Sequence, residues 1–339
     1  MKILVTGSAG FIGFHITKYL IEKNKYVIGI DNLNNYYSVS LKKKRLKELK
    51  NISKIKKNRK YKFYKADLSN YRRLKSLFKK YKFDYVINLA AQAGVRYSII
   101  KPSAYVKSNL IGFSNILELS KKFKIKHLIY ASTSSVYGSN KILPFKESQK
   151  VDHPIQFYAA TKRANELMAH SYSSMFLLPT TGLRFFTVHG PWGRPDMALY
   201  KFTDKISRNK VVEIYNYGNH TRSFTDIDDV VKNIYRLIEK APKKNNNIKL
   251  NLEPHISSSP FRILNIGSSK RVNIVQYLNK IAKTMNKKVK FKYISKQAGD
   301  VEHTSANSNL LRKLTKFKVS TNTEKVIKSF VNWYLRKKY

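Results

Sequence analysis

Lys2-Ile3-Leu4-Val5-Thr6-Gly7-Ser8-Ala9-Gly10-Phe11-Ile12-Gly13 stands at the start of the chain. Its first five residues are an apolar run of strand length, and three glycines follow with G-x-x-G-x-x-G spacing. Phe14, Ile16, Tyr19 and Leu20 then recur at helical spacing, and a second apolar run, Tyr26-Val27-Ile28-Gly29-Ile30, ends at Asp31. Strand, glycine turn, helix, strand and acid, in that order, predict a dinucleotide site. Gly7 allows the tight turn, Gly10 lets the backbone approach a pyrophosphate, and Gly13 lets the helix pack closely on the strand. The unpaired N–H groups at the helix start, beside Phe11 and Ile12, attract the anion. Asp31 lies 18 positions after Gly13. A carboxylate there accepts bonds from the adenosine ribose hydroxyls and repels a 2′-phosphate, which favours NAD over NADP. Asn32 is placed in the same cofactor site.

Outward from that unit, strands and helices alternate. The patterns predict helices over Leu41–Ile55, Leu74–Tyr81 and Val106–Phe123, and strands over Tyr61–Ala66, Asp84–Ala91 and Lys126–Ser132. The fold class is therefore α/β, a Rossmann-type doubly wound parallel sheet. Asp67 and Leu68 close one strand, where an Asp can hold an adenine amino group or simply cap a turn. Leu89, Ala90 and Ala91 close the next, where small side chains leave room for a cofactor. Arg96, in Gln92-Ala93-Gly94-Val95-Arg96-Tyr97-Ser98, falls in a loop at a strand C-terminal end, where open α/β sheets bind ligands. It is a candidate anion contact. Gly138–His153 and Lys243–Pro260 read as loops. Residues 1–183 are expected to form the NAD-binding domain. Residues 184–339 form mainly a smaller α/β substrate-binding domain, with a strand near Ile263–Ile266 returning to the first.

The chain has 339 residues, 67 Lys+Arg against 20 Asp+Glu, a formal charge of +47 and no cysteine. That excludes a disulfide framework and thiolate catalysis. No apolar run approaches the ~18 residues a membrane helix needs, and no signal-peptide pattern precedes the first strand. The expected location is the cytoplasm, with no membrane partner. Lysines spread through short tracts such as Lys42-Lys43-Lys44, Lys121-Lys122 and Lys337-Lys338, with no nucleic-acid motif beside them. They read as solvated faces that steer an anionic substrate inward, and no specific nucleic-acid partner is expected. No metal site is expected.

Tyr158-Ala159-Ala160-Thr161-Lys162 carries the chemistry. Positions i and i+4 share a helix face, so phenol and ammonium can meet one cofactor. A free tyrosine has a pKa of about 10, and a nearby ammonium and an oxidised nicotinamide ring both favour the phenolate. Thr133, within Ser132-Thr133-Ser134-Ser135-Val136-Tyr137-Gly138, is the hydroxyl best placed to share the reacting oxygen.

T-G-x-x-G-x-x-G, then a Ser/Thr-rich V-Y-G strand end, then Y-x-x-x-K resembles the extended short-chain dehydrogenase/reductase family of NAD-dependent epimerases and dehydratases. Within it, the run Leu183 to Ala198, containing Gly190-Pro191-Trp192-Gly193-Arg194-Pro195-Asp196-Met197, resembles the UDP-glucuronate 4-epimerase group. Asp31–Tyr37, Ala91–Ser98 and Arg222–Asp229 resemble it too. The resemblance extends from Met1 to about Leu311 and implies NAD-dependent 4-epimerisation of a UDP-sugar. UDP-glucuronate becomes UDP-galacturonate through a transient 4-keto sugar, supplying surface polysaccharide. It implies Thr133, Tyr158 and Lys162 as catalytic residues. Ser134, Ser135 and Thr187 would hold the sugar carboxylate, Arg194 and Arg222 the diphosphate, and Asp300 would lie near the nucleotide. Dehydratases carry an acid just before V-Y-G; here Ser134 and Ser135 stand there. Asn88, His189 and Asp226 depart from the group, and Asp226 would set a carboxylate near the diphosphate groove unless it pairs with Arg222. Family members are often dimers through a bundle that includes the Tyr158 helix. A UDP-glucose or UDP-N-acetylhexosamine 4-epimerase is the near alternative. A non-catalytic NAD-binding protein docking on nucleic acid is the alternative of another class.

Overall fold

The computed structural model describes residues 1–58, 60–248, 253–297, 299–319 and 322–337. Part of the expected Lys243–Pro260 loop, Ala298 and Lys338 lie outside them.

A seven-stranded sheet is the frame. Its strands are β1 (Lys2–Thr6), β2 (Tyr26–Asp31), β3 (Tyr61–Lys65), β4 (Tyr85–Asn88), β5 (His127–Thr133), β6 (Thr180–Phe185) and β10 (Phe261–Ile266). Their order is β10-β6-β5-β4-β1-β2-β3, and every pairing is parallel. Both faces are covered, so the strands are apolar on both sides rather than alternating. Ile3 and Val5 point to one face and Leu4 to the other. Helices α1 (Phe11–Glu22), α9 (Ile227–Leu237) and α11 (Asn309–Thr315) cover the first face, and Ile16, Leu20 and Ile234 join Ile87, Ile129 and Leu183 there. Helices α3 (Tyr71–Tyr81), α6 (Gly112–Lys122) and α7 (Phe157–Phe176) cover the second, where Leu74, Phe78 and Ile116 meet Val86, Leu128 and Tyr130. Helix α2 (Val39–Ile55) packs along α1 through Leu46 and Leu49.

The long helix expected over Val106–Phe123 is interrupted. Two short turns, α4 (Tyr97–Ile100) and α5 (Pro102–Tyr105), lead into a π-helical stretch, Val106–Ile111, before α6. The wider turn places Asn109 against α7, where the Asn109 carbonyl accepts from Asn165 Nδ2 at 2.7 Å. Such widened turns recur at functional sites.

A smaller lobe packs over the C-terminal edge of the sheet. Strands β7 (Thr187–His189), β9 (Thr221–Asp226) and β11 (Arg271–Asn273) form one sheet, and β8 (Val212–Tyr215) and β12 (Phe291–Ile294) another. Helices α8 (Ala198–Ser207), α10 (Ile274–Thr284) and α12 (Thr323–Lys337) enclose Leu199, Ile214, Phe224, Tyr277, Ile281 and Phe330 in its core. Arg184 and Phe185 still belong to the large sheet, on β6, and the chain returns to that sheet at β10, beside β6.

Candidate active site

The glycine turn is built by contacts too close for any side chain. Gly7 has φ +69°, and a Cβ on it would come within 2.8 Å of the Ala90 nitrogen. Gly10 donates its N–H to the Gly7 carbonyl at 2.8 Å. A Cβ on Gly13 would sit 2.0 Å from that same carbonyl oxygen. The close approach that Gly13 permits is thus to the turn itself. Helix α1 starts without a side-chain cap and without an acid in its first turn, and its N-terminal residues line the cavity.

Asp31, at the end of β2, is 8% exposed. Its carboxylate accepts from the backbone N–H of Ala9 at 3.2 Å and of Leu33 at 2.8 Å. Burial raises its pKa against the lowering effect of these bonds and of Lys42 and Arg45. Asp67 accepts from Asn32 Nδ2 at 3.0 Å and, on its other oxygen, from the Ser69 N–H at 2.9 Å. It holds a turn; the cap of α3 is Asn70.

Thr133 ends β5, and its hydroxyl accepts from the Ser135 N–H at 3.2 Å. Ser134 and Ser135 follow in a single 3₁₀ turn, Ser134–Tyr137. Tyr158 and Lys162 lie on α7 as the spacing predicts. Burial raises the Tyr158 pKa, while the Thr133 hydroxyl and the Arg194 charge pull it down. Lys162 Nζ donates to Asn165 Oδ1 at 2.8 Å, and burial brings Lys162 itself down to about 7. Helical spacing placed both groups on one face, but the longer side chain turned to the amide one turn away.

Arg194 holds Asp196 with both arms, Nε donating to Oδ1 at 3.0 Å and Nη2 to Oδ2. The Tyr36 hydroxyl donates to the same Asp196 carboxylate at 3.2 Å. Arg96 pairs with Asp300 at 3.3 Å and lies 4.5 Å from the centre of the Tyr215 ring. Arg222 Nη1 donates to the Glu302 carbonyl at 2.8 Å. Asp226 does neither of the things expected of it. It caps α9 by accepting the Asp228 N–H at 3.0 Å, away from the cavity and from Arg222. His189 is buried and shares a hydrogen bond of 2.8 Å with the Tyr277 hydroxyl, also outside the main cavity. Asn88 accepts from the Thr6 hydroxyl at 2.6 Å and ties two strand ends together.

One cavity of about 1220 Å³ joins these groups. The glycine turn, Asp31, Asn32, Asp67, Leu68 and Leu89–Ala91 line one arm; Thr133, Ser134, Ser135, Tyr158 and Lys162 line its middle; Thr187, Arg194, Arg222, Arg96 and Asp300 line the other arm. Sequence reasoning missed several lining residues, among them Tyr215, Gln156 and His220. None lies in a pattern that spacing could single out. Lys42 departs from its expected place on a solvated face. Grouped with the solvated lysines, it is 4% exposed, lines the cavity, and donates to the Asn34 carbonyl and side chain at 2.8 Å each. The helical period buries Leu41, Lys42, Arg45 and Leu46 and exposes Lys43 and Lys44. No cluster of metal-ligating side chains occurs among the described residues, and no helix there is long and apolar enough to cross a membrane.

Residues 3–252 match the NAD dependent epimerase/dehydratase family. A probable UDP-glucuronate 4-epimerase of Rhizobium meliloti is 42% identical over 336 residues, 98% of this chain and 97% of that protein. The structure of UDP-glucuronic acid 4-epimerase from Bacillus cereus with UDP-glucuronic acid and NAD superimposes with a TM-score of 0.87 at 29% identity, covering all of both chains. UDP-glucose 4-epimerase of Thermotoga maritima, with UDP-glucose, gives a TM-score of 0.85 at 26% identity, also covering both chains fully.

Proposed function

The chain belongs to the NAD dependent epimerase/dehydratase family, and on that premise we propose that it interconverts UDP-glucuronate and UDP-galacturonate. The observation that carries this reading is the cavity's composition around Thr133 and Tyr158. Hydroxyls, and no acid, stand at Ser134 and Ser135, and Thr187 faces the same space. A sugar carboxylate can be bound at these hydroxyls without repulsion from them, and neither serine position supplies an acid for dehydration.

The cofactor arm fits NAD. The glycines leave the turn open to a pyrophosphate, the uncapped start of α1 offers N–H donors to it, and buried Asp31 offers acceptor oxygens to ribose hydroxyls. NAD, when bound, supplies the oxidation at the sugar C4 and the reduction that reverses it on the opposite face. The chain's own residues do the rest. Tyr158 takes the proton from the 4-hydroxyl and later returns one. Thr133 hydrogen-bonds the same oxygen and favours the phenolate that accepts the proton. Lys162, in its protonated form, sets a positive charge beside the reacting centre. Arg194 and Arg222 hold the diphosphate, whose oxygens suit a fixed guanidinium fork. To do so, Arg194 must trade its grip on Asp196 for the phosphate. Arg96 and Asp300 close the nucleotide end.

Purified protein given UDP-glucuronate without added NAD should form UDP-galacturonate, read by chromatography or proton NMR. Epimerisation of UDP-glucose with none of UDP-glucuronate would favour the neutral-sugar reading. We assign the activity to the cytoplasm and the working form to a homodimer. Ile99, Ile100, Ile111 and Leu167 leave apolar surface on and beside α7. Light scattering that gives a monomer mass would overturn the second assignment.

A further inference from the structure

Two buried charges lie behind this machinery. The side chains of Glu166 and Arg184 are 0% exposed. Arg184 Nε donates to Glu166 Oε1 at 2.9 Å, and Nη2 donates to Oε2 at 3.0 Å. Withdrawing such charges from water costs several kcal/mol per ion, and packed apolar residues of like volume are often as stable. Stability therefore does not account for the pair, but its position does. Tyr158, Lys162 and Glu166 follow one another at intervals of four along one face of α7. Glu166 Oε1 also accepts the Ser132 hydroxyl at 2.6 Å. Ser132 precedes Thr133 on β5 and is paired in register with Arg184 on β6. One carboxylate thus ties together the helix of Tyr158 and Lys162, the strand end of Thr133, and the neighbouring strand.

We propose that Glu166 is a positioning residue for the reaction: its carboxylate locks the Tyr158 face of α7 to the Thr133 end of β5, and its charge stands one turn behind the Lys162 ammonium. The role rests on the epimerase reading given above. Arg184 from β6, Arg163 and Lys162 from α7, and the Tyr130 phenol from β5 are the titratable groups that face Glu166. Burial would raise Glu166, but Arg184, Ser132 and Arg163 together outweigh it and hold the carboxyl below its usual range. The carboxylate is therefore a lasting negative charge. Burial lowers Lys162 to about 7, against the upward pull of the Glu166 charge.

The test is the pH profile of turnover in the full chain for Glu166→Gln and Ser132→Ala, with UDP-glucuronate or whichever UDP-sugar the wild type converts. Glu166→Gln should keep KM, lower kcat about tenfold, and move the alkaline limb about one pH unit lower, because Lys162 loses its proton earlier. Ser132→Ala keeps the charge and should lower kcat severalfold with the limb unmoved. Wild-type kcat in both variants overturns the proposal. So does a loss in Glu166→Gln that follows a lowered melting temperature while the limb stays in place. If Glu166→Gln does not fold, Glu166→Gln/Arg184→Gln removes both charges and is judged by the same limb; if that also fails, Ser132→Ala decides alone. A wild type that converts another UDP-sugar but not UDP-glucuronate overturns the substrate assignment and leaves this role standing. A wild type that converts none overturns both.

Discussion

Gly13 and Gly7 are held so close that a Cβ on Gly13 would stand 2.0 Å from the Gly7 carbonyl oxygen. Alanine in a helix gains about 1 kcal/mol over glycine, so Gly13→Ala would stabilise an unconstrained helix. Here the clash is with backbone, which cannot swing away, and the turn must open. Gly13→Ala should therefore purify with less than about a tenth of the wild-type nucleotide, because the start of α1 no longer lines up on the pyrophosphate. Absorbance at 260 nm and mass spectrometry of the released nucleotide check this.

Thr133→Val removes the hydroxyl that favours the Tyr158 phenolate. Burial is then less opposed, and the Tyr158 pKa rises further. Turnover that depends on the phenolate should need a higher pH. The acid limb of the kcat profile moves up, and kcat at neutral pH falls by about a hundredfold. A limb that stays in place would remove Thr133 from this role.

Ser134→Ala and Ser135→Ala test the carboxylate subsite. A hydrogen bond to a charged group contributes about 1.5–3 kcal/mol, so each loss should raise KM for UDP-glucuronate about tenfold or more. KM for UDP-glucose should not change. Equal effects on both substrates would place the two serines elsewhere in the reaction.

Asp226 caps α9 from a site where burial, with Asp228 and Asp229 nearby, raises its pKa from 3.8 to about 6. A carboxyl raised in the folded state favours folding when protonated. Its penalty is absent below about pH 4, grows between the two values, and is complete above about pH 6. Part of the group reaches solvent, so the penalty is less than the full shift implies. Asn keeps the cap without the charge. Asp226→Asn should raise Tm by about 2 °C at pH 8 and leave it unchanged near pH 4. Thermal melts at the two pH values decide it.

Local spacing determined the parts of this protein that depend on near neighbours. G-x-x-G-x-x-G between a strand and a helix can be read from Lys2–Gly13 because the tight turn and helix start are built within a dozen residues. Tyr158 and Lys162 share a face because four residues make about one turn. The alternation of elements gave the parallel sheet, since a parallel neighbour needs a crossover. Only the tertiary structure decided what each side chain then touches. Lys162 met Asn165 as its hydrogen-bond partner, Lys42 turned inward under Asn34, and Asp226 became a cap. Glu166 found Arg184 and Ser132, 18 and 34 residues away in sequence. Those contacts are set by how strands align across the sheet and how α7 lies on it. No residue spacing encodes that distance, because it is fixed by the packing of elements whose order alone is written in the chain.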